Sequence, residues 1–115
     1  MTDVWREGWS VGYDADLDRG YIRHEGGIEA TLQFQHGPVK EVGGINGVQN
    51  EELIELLVKR IEALDLRMPC SENKDALNGL DAALASLKLR TSKRETQNVE
   101  GTERPHSDTE VKETT

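Results

Sequence analysis

NEELIELLVKRIEALDLRMPCSENKDALNGLDAALASLKLR, residues 50–90, decides the fold. Leu53, Ile54, Leu57, Ile61 and Leu64 recur at helical spacing. Leu56 and Val58 widen that stripe to about 200° at 100° per residue. Asn50 stands where an N-cap belongs. Glu51, Glu52 and Glu55 follow in the first turns, where the helix dipole favours acid. Pro69 breaks the pattern, and Ser71 offers the next N-cap. Ala76, Leu77, Leu80, Ala83, Leu84 and Leu87 then form a second, narrower stripe of about 120°. Gly79 and Ala83 would let a neighbour approach closely. A link of about six residues between two such helices makes an antiparallel hairpin. One partner helix cannot dehydrate the wide stripe of the first. Its surplus face is expected to meet the N-terminal zone and another subunit, so the chain is read as a homo-oligomer.

Upstream, residues 1–48 are rich in glycine and hold every Trp, Tyr and Phe: Trp5, Trp9, Tyr13, Tyr21 and Phe34. Trp5, Glu7, Trp9, Val11 and Tyr13 alternate, as one face of a strand would. A helix would also align Trp5, Trp9 and Tyr13, but Gly8 and Gly12 make it a poor one. Residues 20–24 and 28–35 read as two further strands around a turn at Gly26 and Gly27. Downstream, residues 96–115 lack apolar periodicity and read as a disordered acidic tail. The expected fold class is therefore α+β: a small N-terminal β hairpin or sheet, then an antiparallel αα-hairpin. The expected organisation is a glycine- and aromatic-rich β segment at 1–48, the helical hairpin at 49–95 and the tail at 96–115.

The bulk numbers narrow the function. The chain has 115 residues, enough for one domain, and a net charge of −8. That excess of acid argues against non-specific binding to DNA or RNA, yet leaves room for a small anion in a locally basic pocket. Cys70 is the single cysteine, so no disulfide framework can be built within the chain. A reducing cytosol fits. No apolar run suits a signal peptide or a membrane span.

A glycine-rich stretch that opens onto a helix raises the question of phosphate. Gly37, Gly43, Gly44 and Gly47 precede the first helix, but the spacing is neither GxxxxGK[ST] nor GxGxxG. Glu51 and Glu52 occupy the first turn, where a phosphate would sit. Positive charge comes instead from the second helix. Paired from the link outward, residue 87 falls opposite about residue 50, at equal rise per residue. Lys88, Arg90, Lys93 and Arg94 then overhang toward the glycine-rich loop. They could converge there on one anion, or simply complement the dipole of their own helix and pair with Glu51 and Glu52.

Other constellations are weaker. DADLDRGYIRHE, residues 14–25, sets Asp14, Asp16, Asp18 and Glu25 at positions 1, 3, 5 and 12 of a calcium loop. Arg19, however, stands where that loop needs glycine, so an acidic turn is the better reading. His24, His36 and His106 are scattered, and no HExxH occurs. Cys70 has no neighbouring histidine. The serines stand in no nucleophile elbow. The aromatic row could stack on bases, although small cores use aromatics in the same way. No catalytic dyad or cofactor motif emerges, and the chain is not read as an enzyme.

GPVKEVGGINGVQNEEL, CSENKDALNGLDAALASLKLRTSKR and VEGT together resemble a family of small phage proteins. That family carries the helical-hairpin domain of anti-CBASS and anti-Thoeris sponges. The resemblance spans residues 32–102. It rests on Gly37, Pro38, Glu41, Asn46, Gly47, Cys70, Glu72, Asn73, Ala76, Leu77, Leu80, Ala83, Leu84, Leu87, Arg90, Thr91 and Arg94, with Val99 to Thr102 completing it. Two positions depart from the pattern: one extra residue precedes Asn46, and Ser86 stands where an aromatic is usual. The resemblance implies a phage anti-defence protein in the host cytoplasm. Such a protein binds a cyclic di- or trinucleotide, or a cyclic ADP-ribose type signal, and sequesters it without hydrolysis. It also implies a homo-oligomer, in the family a hexamer, with no DNA, RNA or membrane partner. Arg90, Arg94, Thr91, Asn46 and Gly47 are the expected ligand-binding residues, with no metal and no cofactor. The competing readings are an acidic module that inhibits a host protein and a phage accessory subunit without ligand.

Overall fold

The computed structural model describes residues 7–108. Trp5 and Val111 lie outside them. The chain is α+β and divides into two compact units, Met1–Val48 and Gln49–Thr115.

The first unit is a three-stranded antiparallel sheet in the order β1-β2-β3, with β1 at Trp9–Asp14, β2 at Arg19–His24 and β3 at Glu29–Gln33. Its register sets Val11 opposite Ile22, and Ile22 opposite Ala30. Trp9, Val11, Tyr13, Ile22, Ala30 and Leu32 therefore share one face, since directly paired residues point the same way. The other face carries Ser10, Arg19, Arg23, Glu29, Thr31 and Gln33. Arg23 bonds Glu29 across it and lies over the Tyr21 ring. The alternation expected from the sequence is this division of faces. Val11 is nonetheless 80% exposed.

Both hairpins are built by local chemistry. Between β1 and β2, the Asp14 carboxylate accepts from the backbone N–H groups of Asp16 and Leu17. Asp18 then takes a positive φ of 51°. DADLDR is thus a strand-to-strand turn, with Asp14 used as an Asx acceptor. Between β2 and β3, Gly27 turns the chain at φ 100° and donates to the His24 carbonyl.

The glycine-rich stretch after β3 folds back on the sheet. Val48 pairs in parallel with Phe34, giving its N–H to the Gln33 carbonyl and taking that of Gln35. A side chain at Gly47 would collide with the backbone of Phe34. This close approach accounts for the glycine.

In the second unit, α1 (Asn50–Arg67) and α2 (Ser71–Thr96) form the helical hairpin. The caps fall one residue earlier than expected. Gln49 is the N-cap of α1, with its N–H accepted by the Glu52 carboxylate three residues on, and Cys70 is the N-cap of α2. The link is also shorter than six residues, namely Met68, Pro69 and Cys70. Nothing in residues 64–67 opposes a helix, and Pro69 first forces Met68 out of it, at φ −142°. Asp65 fastens the turn by accepting from Cys70 N and Asn73 Nδ2. Lys74 and Lys88 reach across the hairpin to Asp65 and Glu55.

The end of α2 is where the expected tail differs most. Asn98 takes φ 58° and donates to the Glu95 carbonyl, and Val99 donates to the Arg94 carbonyl. This is a Schellman ending with asparagine in the left-handed position. The chain then wraps the helix end. Gln97 exchanges bonds with Ser107, and Lys93 donates to the Asp108 carbonyl. Residues 97–108 are held by hydrogen bonds that composition did not foretell, and residues 109–115 lie outside the described ones. Val99 is 8% exposed, the one buried apolar residue among those described.

Candidate functional site

The overhang of α2 builds a cleft. Leu87, Arg90 and Thr91 from α2, with Gln49, Asn50 and Glu51 from the start of α1 and Glu100 from the wrapped segment, enclose about 510 Å³. Leu87 faces Asn50 here, as equal helical rise required. Arg90 is exposed, and among the described residues no hydrogen bond or ion pair engages its guanidinium. Thr91 is half-buried beside it. A guanidinium presents its donors in a planar fork suited to phosphate.

Arg94, one turn further on, has a different place. It is 5% exposed. Its Nη1 donates to the Arg104 carbonyl and faces His106 Nδ1, while its Nη2 donates to the carbonyls of Val99 and Thr102. Its Nε lies 3.7 Å from Glu100 Oε2. Every nitrogen of the group faces an acceptor of the wrapped segment. Buried charge is tolerated only when paired and hydrogen-bonded; both Nη atoms of Arg94 are bonded, while its Nε has only the ion pair with Glu100 among the described residues. The sequence VEGT is what it holds: Val99 packs, Glu100 pairs with it, Gly101 turns at φ 78°, and Thr102 returns its hydroxyl to the Val99 carbonyl.

Asn46 and Gly47 belong to the first unit. The Asn46 side chain accepts from His36 N and donates to the His36 carbonyl, at 2.7 and 2.8 Å. Its backbone N–H donates to Gln35 Oε1, and the Gln35 amide bonds the carbonyls of Gly37 and Gly44. These two residues fix the loop. Nearby, Asp18 accepts from the Tyr13 hydroxyl at 2.6 Å and lies 3.0 Å from His36 Nδ1. The Tyr13 bond first, and His36 second, hold the Asp18 carboxyl below its ordinary range, and the same bond raises the Tyr13 hydroxyl. At the start of α2, its own backbone N–H and the Ser71 hydroxyl lower the Glu72 carboxyl. A second, apolar cleft of about 410 Å³ lies at the helix link, beside Pro69 and the exposed, free Cys70.

No protein-family model matches the chain. Among curated proteins it is 42% identical, over 82 residues, to a phage protein. That relative is Thoeris anti-defense 1 of Bacillus phage SBSphiJ7. The match takes in 70% of this chain and spans 57% of the relative's length. The similarity to Thoeris anti-defense 1 supports the phage anti-Thoeris side of the resemblance drawn from residues 32–102.

Of the expected site residues, Arg90 and Thr91 share the cleft, and Arg94 lies behind its Glu100 wall. Glu51 and Glu100 were not foreseen as site residues. The one signal for Glu100 was its place in VEGT.

Proposed function

We propose that this protein captures a cyclic nucleotide immune signal in the cytoplasm of a phage-infected host and holds it unhydrolysed. Anti-defence is the role named in its relative, Thoeris anti-defense 1. The observation that carries the reading further is Arg90, a guanidinium free among the described residues in the lining of a cleft of about 510 Å³. Small-molecule sites run to about 300–1,000 Å³, so a cyclic di- or trinucleotide or a cyclic ADP-ribose fits the scale. Arg90 takes the phosphate and Thr91 adds a hydroxyl contact. Arg94 holds the wall behind them, and Asn46 and Gly47 keep their loop in shape. Sequestration asks for binding without turnover, which needs no general base and no metal. Oligomers of this chain, up to the hexamer that the resemblance implies, would bury the surplus apolar face of α1.

Calorimetry of the purified full chain with a panel of cyclic di- and trinucleotides and cyclic ADP-ribose tests this. The expected result is one tight binder, recovered intact by chromatography after incubation and heat release. A binder recovered as linear product would make the protein a hydrolase. No binding across the panel would leave the inhibitor of a host protein as the better reading.

A further inference from the structure

We propose, resting on the reading above, that Glu100 and Glu51 make the cleft select a ligand with a hydroxyl or amino donor beside its phosphate. Glu100 is unusually constrained. Its Oε1 accepts from Gly101 N at 3.1 Å, and its Oε2 lies 3.7 Å from Arg94 Nε. Among the described residues neither Oε2 nor that Nε has a hydrogen-bond partner, and both are closed to solvent. Oε2 is thus closed off beside the buried cation, and Oε1, steadied by a backbone N–H, is the acceptor left to the cleft that this half-buried residue lines. Glu51 lines the same cleft from the first turn of α1.

An ionised carboxylate only accepts hydrogen bonds. Whatever part of a ligand lies against these two groups must therefore donate. A phosphate oxygen there would meet like charge and an unmatched acceptor. Against Arg90 the requirement is reversed, because a guanidinium only donates. A ligand that fills the cleft must present acceptor and donor side by side. A phosphate next to a free ribose hydroxyl does so, as does a phosphate next to an exocyclic amino group of a base. The Arg94–Glu100 pairing also balances one of the two acids, so the cleft does not repel a phosphodiester outright. Sites that hydrogen-bond a hydroxyl discriminate sharply against analogues that lack it, because the site's own polar group is left unpaired.

The test compares 3′,3′-cyclic di-AMP with its 2′-deoxy counterpart and with cyclic di-IMP, and cyclic ADP-ribose with its inosine counterpart, by calorimetry on the full chain. The proposal expects about tenfold or greater loss of affinity for the analogue that lacks the donor in use. The deoxy arm identifies a ribose hydroxyl, and the inosine arm an amino group. Glu100→Gln, which can itself donate, should bring the ratio toward one while the parent ligand weakens. Glu51→Gln does the same from the start of α1 and leaves the Arg94 clamp untouched, which covers the case in which the Glu100 variant folds poorly. Equal affinity for ligand and analogues, unchanged in Glu51→Gln, overturns this inference and leaves the sequestration reading standing. Absence of binding to every probe overturns both.

Discussion

Arg90 and Arg94 are a single helical turn apart and look alike in sequence, yet their surroundings differ. Arg90 lines a cleft with no hydrogen bond or ion pair among the described residues, whereas Arg94 donates to carbonyls of its own chain. Arg90→Ala should weaken a bound cyclic nucleotide by roughly 10- to 150-fold, the worth of one charge-assisted contact. The fold should hold, as unchanged circular dichroism would show. Arg90→Lys should recover only part of the affinity, because a point charge does not reproduce the fork. If Arg90→Ala binds as tightly as the parent, the site lies elsewhere, and Lys59 and Arg60 on α1 become the next candidates. Arg94→Ala should fail differently. It removes charged hydrogen bonds worth about 1.5–3 kcal/mol each and leaves Glu100 without its cation. The melting temperature should fall before any ligand is added. Asp18 offers a test by pH. Its carboxyl is held below the ordinary 3.8, chiefly by the Tyr13 hydroxyl. A depressed folded value stabilises fully above the ordinary value, and the gain is lost as pH falls through the folded one. Melts of parent and Asp18→Asn between about pH 2 and pH 7 should therefore show a constant gap that closes only below the ordinary value. A gap that persists to the acid limit would mean that Asp18 acts through the shape of its turn and not through its charge.

At the scale of elements, the two helices were legible because their stripes encode them: apolar spacing does not depend on where the rest of the chain lies. The β segment was legible for the same reason at period two, and Gly26 and Gly27 announced their turn. What the sequence hid is the ending of α2. A Schellman turn is usually announced by glycine, but here Asn98 takes the left-handed position, and asparagine occurs anywhere. Nor does an arginine near a helix C-terminus reveal that it is buried, since the dipole favours a cation there in any case. Glu100 was illegible as a wall of the cleft because its position depends on that hidden turn. Asn98→Ala should cost about 1–2 kcal/mol, the penalty for a β-carbon in the left-handed region, and Asn98→Gly should cost little. Gly47→Ala should cost about 1–3 kcal/mol, as overpacking does, because the new methyl meets the Phe34 backbone. Chemical denaturation measures both. A Gly47→Ala protein of parental stability would mean that residues 47 and 48 do not seat against β3.

The whole molecule poses the question that a single chain leaves open, which is what covers α1. No described residue of that helix is buried, and Leu56 and Leu66 stay 62% and 87% exposed. A leucine moved from water into a packed interface is worth about 1.5–3 kcal/mol, and α1 carries several. A chain of this length buries a smaller share of its surface than a long one, which is the reason to test association. If copies of the chain associate through this face, the melting temperature should rise with protein concentration, because assembly stabilises by mass action. Light scattering at micromolar concentration should give a mass well above 12.8 kDa. Leu56→Glu is the decisive variant. Leu56 lies at the edge of the stripe and not at its centre, so a charge there can stay wetted within one hairpin but not within a packed interface. The variant should scatter as a monomer and keep much of its helical circular dichroism, and its melting temperature should no longer depend on concentration. A parent that scatters as a monomer refutes assembly directly. A Leu56→Glu protein that still assembles moves the interface to another face, and the exposed sheet face bearing Val11 is then the first to mutate.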